Sequence, residues 1–75
     1  MLTQDDLDTQ LSELKLRKRS YNALMSENIY SVRQLMPISD DELLRIRNIG
    51  LTTLYDIRWA LENYVDQKEL DNRIR

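Results

Sequence analysis

The sequence contains no cysteine and no histidine. Without cysteine there is no disulfide to staple the fold and no thiolate to act as a nucleophile. Without either residue, zinc sites built on nitrogen and sulfur ligands are excluded, as are the Ser–His and Cys–His pairs of nucleophilic catalysis. We therefore expect a protein that binds no metal and no cofactor.

Glycine and proline, the residues that most often interrupt helices, occur once each in the 75 residues. This scarcity predicts an all-α fold, a compact bundle of four to five short helices in a single domain. No apolar run approaches the ~18 residues of a membrane-spanning helix. Residues 1–6 lack the basic and apolar parts of a signal peptide, so we expect a cytoplasmic protein.

Charge is distributed unevenly along the sequence. The net charge is −2, but residues 1–14 hold four acidic side chains and no basic one. Residues 15–58 hold eight basic and five acidic side chains, and residues 59–75 are again slightly acidic. The basic middle of the sequence is therefore the part to consider for contact with a nucleic acid.

Capping signals predict where most of the helices begin. In a capping box, a Ser or Thr and a side chain three residues later bind each other's free backbone N–H groups. Such boxes predict helices over residues 4–12, over a very short stretch ended by Pro37, and over a stretch that carries Leu43, Leu44 and Ile46. Their capping pairs are Thr3 with Asp6, Ser31 with Gln34, and Ser39 with Glu42.

Apolar spacing predicts two more helices. Tyr21, Leu24 and Met25 form a stripe in a helix over residues 18–27, which Asn28 can end because asparagine tolerates the left-handed conformation. A last helix runs from about residue 51 or 52 to about residue 65, and residues 66–75 either extend it or hang loose. Its core side is expected to consist of Leu54, Ile57, Leu61 and Tyr64.

These elements divide the protein into an acidic helix or arm over residues 1–13, a helical domain over residues 14–65 and a polar tail over residues 66–75. The predicted core contains Leu14, Leu16, Leu24, Ile29, Val32, Leu35, Leu43, Leu44, Ile46, Ile49, Leu54, Ile57 and Leu61.

Asn48-Ile49-Gly50 interrupts the last two helical patterns, and it is typical of a helix-hairpin-helix. Asn and Gly reach positive φ most easily, which fits a sharp hairpin. The second helix would point its free N–H groups at an anion, and a residue without a side chain lets a phosphate approach closely. A plain helical corner explains the same residues about equally well.

Four basic residues fall within residues 15–19, next to Asn22 one turn later. An arginine beside an asparagine can enter a narrow minor groove, where the negative potential is deepest. Taken alone, the cluster is better explained as a solvated basic flank. Cations at a helix start are slightly unfavourable, however, and function would explain their presence.

Together these segments resemble the C-terminal domain of the bacterial RNA polymerase alpha subunit, over about two-thirds of the sequence. The residues that carry the resemblance are Leu14-x-Leu16-x-x-Arg19-Ser20-Tyr21-Asn22-x-Leu24, Glu27-Asn28-Ile29-Tyr30-x-Val32-x-x-Leu35, Glu42-Leu43-Leu44-Arg45-x-x-Asn48-Ile49-Gly50, Leu54-x-x-Ile57 and Leu61.

The resemblance implies a bacterial, nucleoid-associated DNA-binding module of transcription that also touches polymerase, sigma or an activator. It implies that Arg19 enters an A·T-rich minor groove, supported by Asn22, and that Asn48, Gly50 and Thr53 contact the backbone. Lys18, where the family prefers an apolar residue, adds a sixth candidate contact.

Departures from the family pattern qualify this expectation. Leu51 and Thr52 stand where the family usually has two basic residues, and Arg47 replaces a common proline. The basic surface is therefore expected on the side of the first domain helix rather than on the hairpin side. Because the sequence starts at its own Met1, we expect a free-standing copy of the domain.

Two alternatives compete with DNA binding. In the first, the protein is an interaction module with little DNA affinity, because Leu51, Tyr55 and Trp59 form a second apolar stripe that would mark a partner site or a homodimer if exposed. Burial of the stripe under Leu70 and Ile74 is equally compatible with the sequence. The second is an enzyme, which we do not expect, since the acidic clusters lie at helix starts where capping explains them.

Overall fold

The structure, a computed structural model, describes residues 1–74, and within them the fold is all-α. The helices are α1 (Gln4–Leu7), α2 (Lys18–Ser26), α3 (Val32–Leu35), α4 (Asp40–Leu44) and α5 (Leu51–Ile74), with a 3₁₀ helix at Leu11–Glu13. The all-α bundle predicted from the sequence is confirmed. None of the helices within residues 1–74 combines the length and hydropathy of a membrane crossing.

The helix predicted over residues 4–12 is wrong in its extent. The Thr3–Asp6 capping box forms, but α1 ends at Leu7. Beyond it, the backbone pairs with the segment that leads into α3: the Leu11 N–H donates to the Tyr30 carbonyl at 2.8 Å and the Val32 N–H donates to the Thr9 carbonyl at 3.0 Å. These tertiary hydrogen bonds replace helical ones and draw Leu11, fully buried, into the core.

α2 begins and ends where the sequence indicates. Asn28 has a φ of 62°, so the predicted left-handed stop is confirmed. The Ile29 N–H donates to the Leu24 carbonyl at 3.0 Å and the Asn28 N–H to the Met25 carbonyl at 3.0 Å. This pair of bonds is a Schellman motif, with the buried Ile29 and Leu24 side chains as its apolar contact.

Both later capping boxes also form. The Ser31 hydroxyl accepts the Gln34 N–H, and the Ser39 hydroxyl accepts the Glu42 N–H. In return, the Glu42 carboxylate accepts the Ser39 N–H at 3.1 Å. This backbone hydrogen bond, with the Ser39 hydroxyl and then the Arg45 charge, holds the pKa of Glu42 below its ordinary value of 4.5.

α5 continues well past residue 65, so residues 66–74 extend the helix, while Arg75 lies outside the described residues. Its far half is tied to the N-terminal arm. The Tyr64 hydroxyl lies 2.7 Å from the Asp6 carbonyl and 2.8 Å from the Thr9 hydroxyl. The Asn72 amide donates to the Met1 carbonyl at 2.6 Å and to the Asp6 carboxylate at 3.1 Å.

The core lies between α2, α3, α4 and one side of α5. Leu54, Ile57 and Leu61 are buried as predicted, while Tyr64, Leu16 and Ile46 are half-buried.

The sequence predicts Leu44 in the core, but this side chain is 38% exposed. A five-residue helix has only one buried side, and the neighbouring Leu43 occupies it. Three further residues that the predicted core does not include are buried: Leu11, Ala23 and Ala60.

Alanine substitution of Leu54 and of Leu44 tests which of these two leucines lies in the core. We expect Leu54→Ala to lower the free energy of unfolding by about 2–5 kcal/mol, because it leaves a cavity beneath α5. Leu44→Ala removes a half-solvated side chain and is expected to cost clearly less. Urea denaturation of both variants measures the difference, and equal losses would contradict the burial of Leu54 and the exposure of Leu44.

Capping also predicts how stability depends on pH. Because the folded-state pKa of Glu42 is lowered, its contribution is complete above the unfolded-state pKa and is lost as the pH falls through the folded-state value. The pKa of Asp6 is also lowered, first by the hydrogen bond from the Thr3 N–H and then by the hydrogen bond from the Asn72 amide, so its contribution to stability depends on pH in the same way. We expect the melting temperature to fall with acidification, and to fall less steeply in Glu42→Gln, which keeps the acceptor but does not titrate. An unchanged slope in that variant would refute this role.

Candidate nucleic-acid interface

The hairpin between α4 and α5 reverses direction without positive φ, which corrects the expectation for Asn48 and Gly50. The Ile46 N–H donates to the Leu43 carbonyl at 3.0 Å, and the Ile49 N–H donates to the Ile46 carbonyl at 3.0 Å. These successive hydrogen bonds between residues three positions apart turn the backbone, so a left-handed residue is not required. Ile49 is buried and plugs the hairpin into the core.

Gly50 is exposed, and a Cβ built on it meets no atom within 4 Å. Neither internal packing nor its φ angle therefore requires a glycine here. The Leu54 N–H donates to the Gly50 carbonyl at 2.9 Å, which starts the hydrogen bonding of α5. The N–H groups of residues 51–53 precede this first bonded N–H, so they lie at the positive end of a 24-residue helix.

One open groove joins the start of α2 to the hairpin. We call it the hairpin groove, and it is lined by Lys18, Arg19, Asn22, Ala23, Ser26 and Asn48. The structure thus brings together four of the six DNA-contact residues predicted from the sequence, all four exposed. Gly50, the fifth of these predicted contact residues, is also exposed but lies outside the lining of the groove. Thr53, in the first turn of α5, is only 8% exposed and does not line the hairpin groove.

A second groove lies on the other side of Arg19. We call it the aromatic groove; its open walls are formed by Lys15, Arg17, Arg19, Thr52, Tyr55 and Trp59, and its base by Ser20, Thr53 and Asp56. Tyr55 and Trp59 are 67% and 53% exposed. Leu70 and Ile74 are themselves exposed, so the tail does not bury the stripe of Leu51, Tyr55 and Trp59.

The Asp56 carboxylate fixes the position of α2 on α5. One of its oxygens, Oδ2, accepts the Ser20 hydroxyl at 2.5 Å and the Arg17 N–H at 3.1 Å. Its side chain is only 13% exposed. Arg17 is the N-cap of α2 but supplies no side-chain hydrogen bond to the helix start. Asp56 therefore provides, from another helix, the negative charge and acceptor that this basic N-terminus lacks.

The sequence indicates that the start of α2 needs a hydrogen-bond acceptor, although it does not indicate that Asp56 supplies it. α2 opens on Lys18 and Arg19 after a residue that caps poorly, so an acceptor has to come from elsewhere in the fold. Asp56 is the only acidic residue between positions 51 and 61. Its pairing with Ser20, which lies next to Arg19, is still unpredictable without knowing that α2 packs on α5.

These elements define a small all-α domain built around a helix-hairpin-helix. Residues 2–63 match the family model that describes the C-terminal domain of the alpha subunit of bacterial RNA polymerase. The protein belongs to this family. The match ends before the far half of α5.

Similar proteins include alpha subunits of DNA-directed RNA polymerase. The sequence is 45% identical over 58 residues to the DNA-directed RNA polymerase subunit alpha of Rhodopirellula baltica, and 39% identical over 54 residues to that of Rubrobacter xylanophilus. It is 35% identical over 57 residues to that of Staphylococcus aureus. These matches cover 77%, 72% and 76% of this sequence but 18%, 17% and 18% of the relatives. The matched region thus spans less than a fifth of their length.

The Asp56 contact predicts a specific loss of stability. We expect Asp56→Ala to lower the free energy of unfolding by about 1–3 kcal/mol, because the buried Ser20 hydroxyl loses its acceptor. Asp66→Ala, at an exposed position of the same helix, serves as the matched control and should change little. Ser20→Ala combined with Asp56→Ala should cost less than the sum of the single changes. Full additivity in urea denaturation would show that the two side chains do not interact.

Proposed function

We propose that this domain is a DNA-binding module of bacterial transcription that contacts an A·T-rich minor groove and the adjacent backbone. The observation that carries the proposal is the hairpin groove, which combines an exposed arginine, two exposed asparagines and a lysine between the start of α2 and the hairpin. Family membership supports the transcriptional setting.

Arg19 is the residue that enters the minor groove in this proposal. It is exposed and lies at the crest between the two grooves, because it lines both. A narrow minor groove attracts a guanidinium by its negative potential. Asn22, one helical turn on, supplies polar contacts on the same side, and Lys18 supplies a phosphate contact.

The hairpin side holds the DNA backbone. Asn48 faces the same groove, and the bare surface at Gly50 lets a phosphate come close to the first N–H groups of α5. Thr53, in the first turn of α5, is the further proposed contact with the DNA backbone on this side. With Leu51 and Thr52 in place of basic residues, this side neutralises fewer phosphates, and the exposed Lys15, Arg17 and Lys18 place the positive charge on the α2 side.

A second candidate function is protein interaction, which the exposure of Leu51, Tyr55 and Trp59 favours. Exposed apolar residues that adjoin each other on one face mark association sites. The partner would be polymerase, sigma or an activator, or a second copy of this protein. In this alternative the domain acts in transcription with little DNA affinity of its own.

Binding to duplex DNA distinguishes the two candidates. Fluorescence anisotropy of a labelled A·T-rich duplex and a G·C-rich duplex is measured over a salt series. We expect preference for A·T and affinity that falls as salt rises. Arg19→Ala should abolish the preference and reduce the salt slope by about one unit, with unchanged helicity.

Arg73→Ala is the matched control, since it removes the same charge from an exposed position near the far end of α5. If Arg19→Ala and Arg73→Ala weaken binding equally, charge alone is responsible and the assigned role of Arg19 is wrong. If no duplex binds at low salt, the interaction module becomes the better description.

A further inference from the structure

We propose that the aromatic groove is a second nucleic-acid site, which binds an unpaired strand by stacking its bases on Tyr55 and Trp59. This site adjoins the proposed duplex-binding surface, and the two share Arg19, Thr53 and the positive charge of Lys15 and Arg17. The ligand class is single-stranded DNA or RNA, since phosphates and base faces are common to both.

The walls of the groove have the composition that such a strand requires. Lys15 and Arg17 are exposed beside the two rings, and Arg19 closes the groove toward the hairpin groove. Proteins that bind single strands combine a basic path for the backbone with aromatic platforms for the bases. The acidic side chain at the base, Asp56, accepts the Ser20 hydroxyl and the Arg17 N–H, and its Oδ1 lies 3.9 Å from the Arg17 Nε, which offsets its negative charge.

The spacing of Tyr55 and Trp59 on α5 suits unpaired bases better than the stacked bases of a duplex. Tyr55 and Trp59 lie one helical turn apart on α5, which separates their Cα atoms by about 6 Å along the helix axis. The bases of a duplex strand are stacked about 3.4 Å apart and their faces are covered by neighbours. Only a strand whose bases are unstacked and spread can offer free faces to both rings.

The lining also favours a strand over an apolar peptide. None of the residues that line the aromatic groove is aliphatic, and besides the two aromatic rings they carry charges, hydroxyls and a carboxylate. A peptide anchored by leucine or a similar side chain needs a hydrophobic pocket to bury it, whereas the charged and hydroxyl-bearing lining of this groove leaves two rings as its apolar wall. Leu51, the exposed aliphatic residue of the same stripe, does not line the groove.

Trp59 makes the groove directly observable, because it is the only tryptophan in the sequence. The full-length protein is titrated with dT12 and with rU12 at low salt while Trp59 fluorescence is recorded, and anisotropy of the labelled strands gives the affinity. We expect quenching by stacking with at least one strand, and the ratio of the two affinities identifies the preferred source.

Two variants of Tyr55 separate stacking from general contact. Tyr55→Leu removes the ring but keeps an apolar side chain, and it should weaken strand binding about tenfold. Tyr55→Phe keeps the ring and should bind like the wild type. Arg17→Ala should lower the salt slope of strand binding by about 0.7. Because these positions are exposed, far-ultraviolet circular dichroism should report unchanged helicity for all three.

The outcomes are distinct. Quenching that depends on the Tyr55 ring establishes the site. Absence of quenching by both strands overturns it, as does equal binding by Tyr55→Leu and Tyr55→Phe. Tighter binding of an acidic leucine-containing peptide than of either strand also overturns it, in favour of a protein partner. Tyr55 is not among the proposed duplex contacts, so the strand assay with its variants and the duplex assay with Arg19→Ala can fail separately.

Discussion

The Asp56 carboxylate connects the two helices on which both grooves depend. α2 begins with basic residues and no cap of its own, an arrangement that the helix dipole disfavours. The carboxylate on α5 accepts the Ser20 hydroxyl and the Arg17 N–H, and so it compensates this start from across the interface. Arg19 can therefore remain exposed on a helix end that is held in place. The hairpin groove and the aromatic groove both take their geometry from this contact, since each is bounded by α2 on one side.

Local signals in the sequence predicted most of the fold. Capping boxes at Thr3, Ser31 and Ser39 each involve residues only three positions apart, so they can be recognised without tertiary information. The left-handed stop at Asn28 is equally local. The predictions failed where distant segments compete with helix formation or leave little room in the core. α1 ends early because residues 9–11 bond to the segment that leads into α3, and Leu44 is exposed because only one side of α4 packs on the core.

The candidate site shows the same division. The sequence predicts Arg19, Asn22, Asn48 and Gly50 as contact residues, and the structure exposes all four and places Arg19, Asn22 and Asn48 on a single groove with Lys18. The burial of Thr53 and the absence of positive φ in the hairpin depend on how α5 packs, which residue type alone does not report. Nor does residue type show that Lys15 and Arg17 lie beside Tyr55 and Trp59, about forty positions later. Spatial proximity of this kind comes from the packing of α2 on α5.

The attachment of the N-terminal arm to the far half of α5 has a practical consequence. The Met1 ammonium group lies 3.0 Å from the Glu69 carboxylate, so the first residue and the last turns of the helix are neighbours. Both grooves lie by the opposite half of α5, in a molecule 41 Å long. A fluorophore, an affinity tag or a surface-immobilisation linker can therefore be joined near either terminus with both grooves facing away from the support. For the same reason, a protein fused near either terminus would lie at the end of the domain away from both grooves.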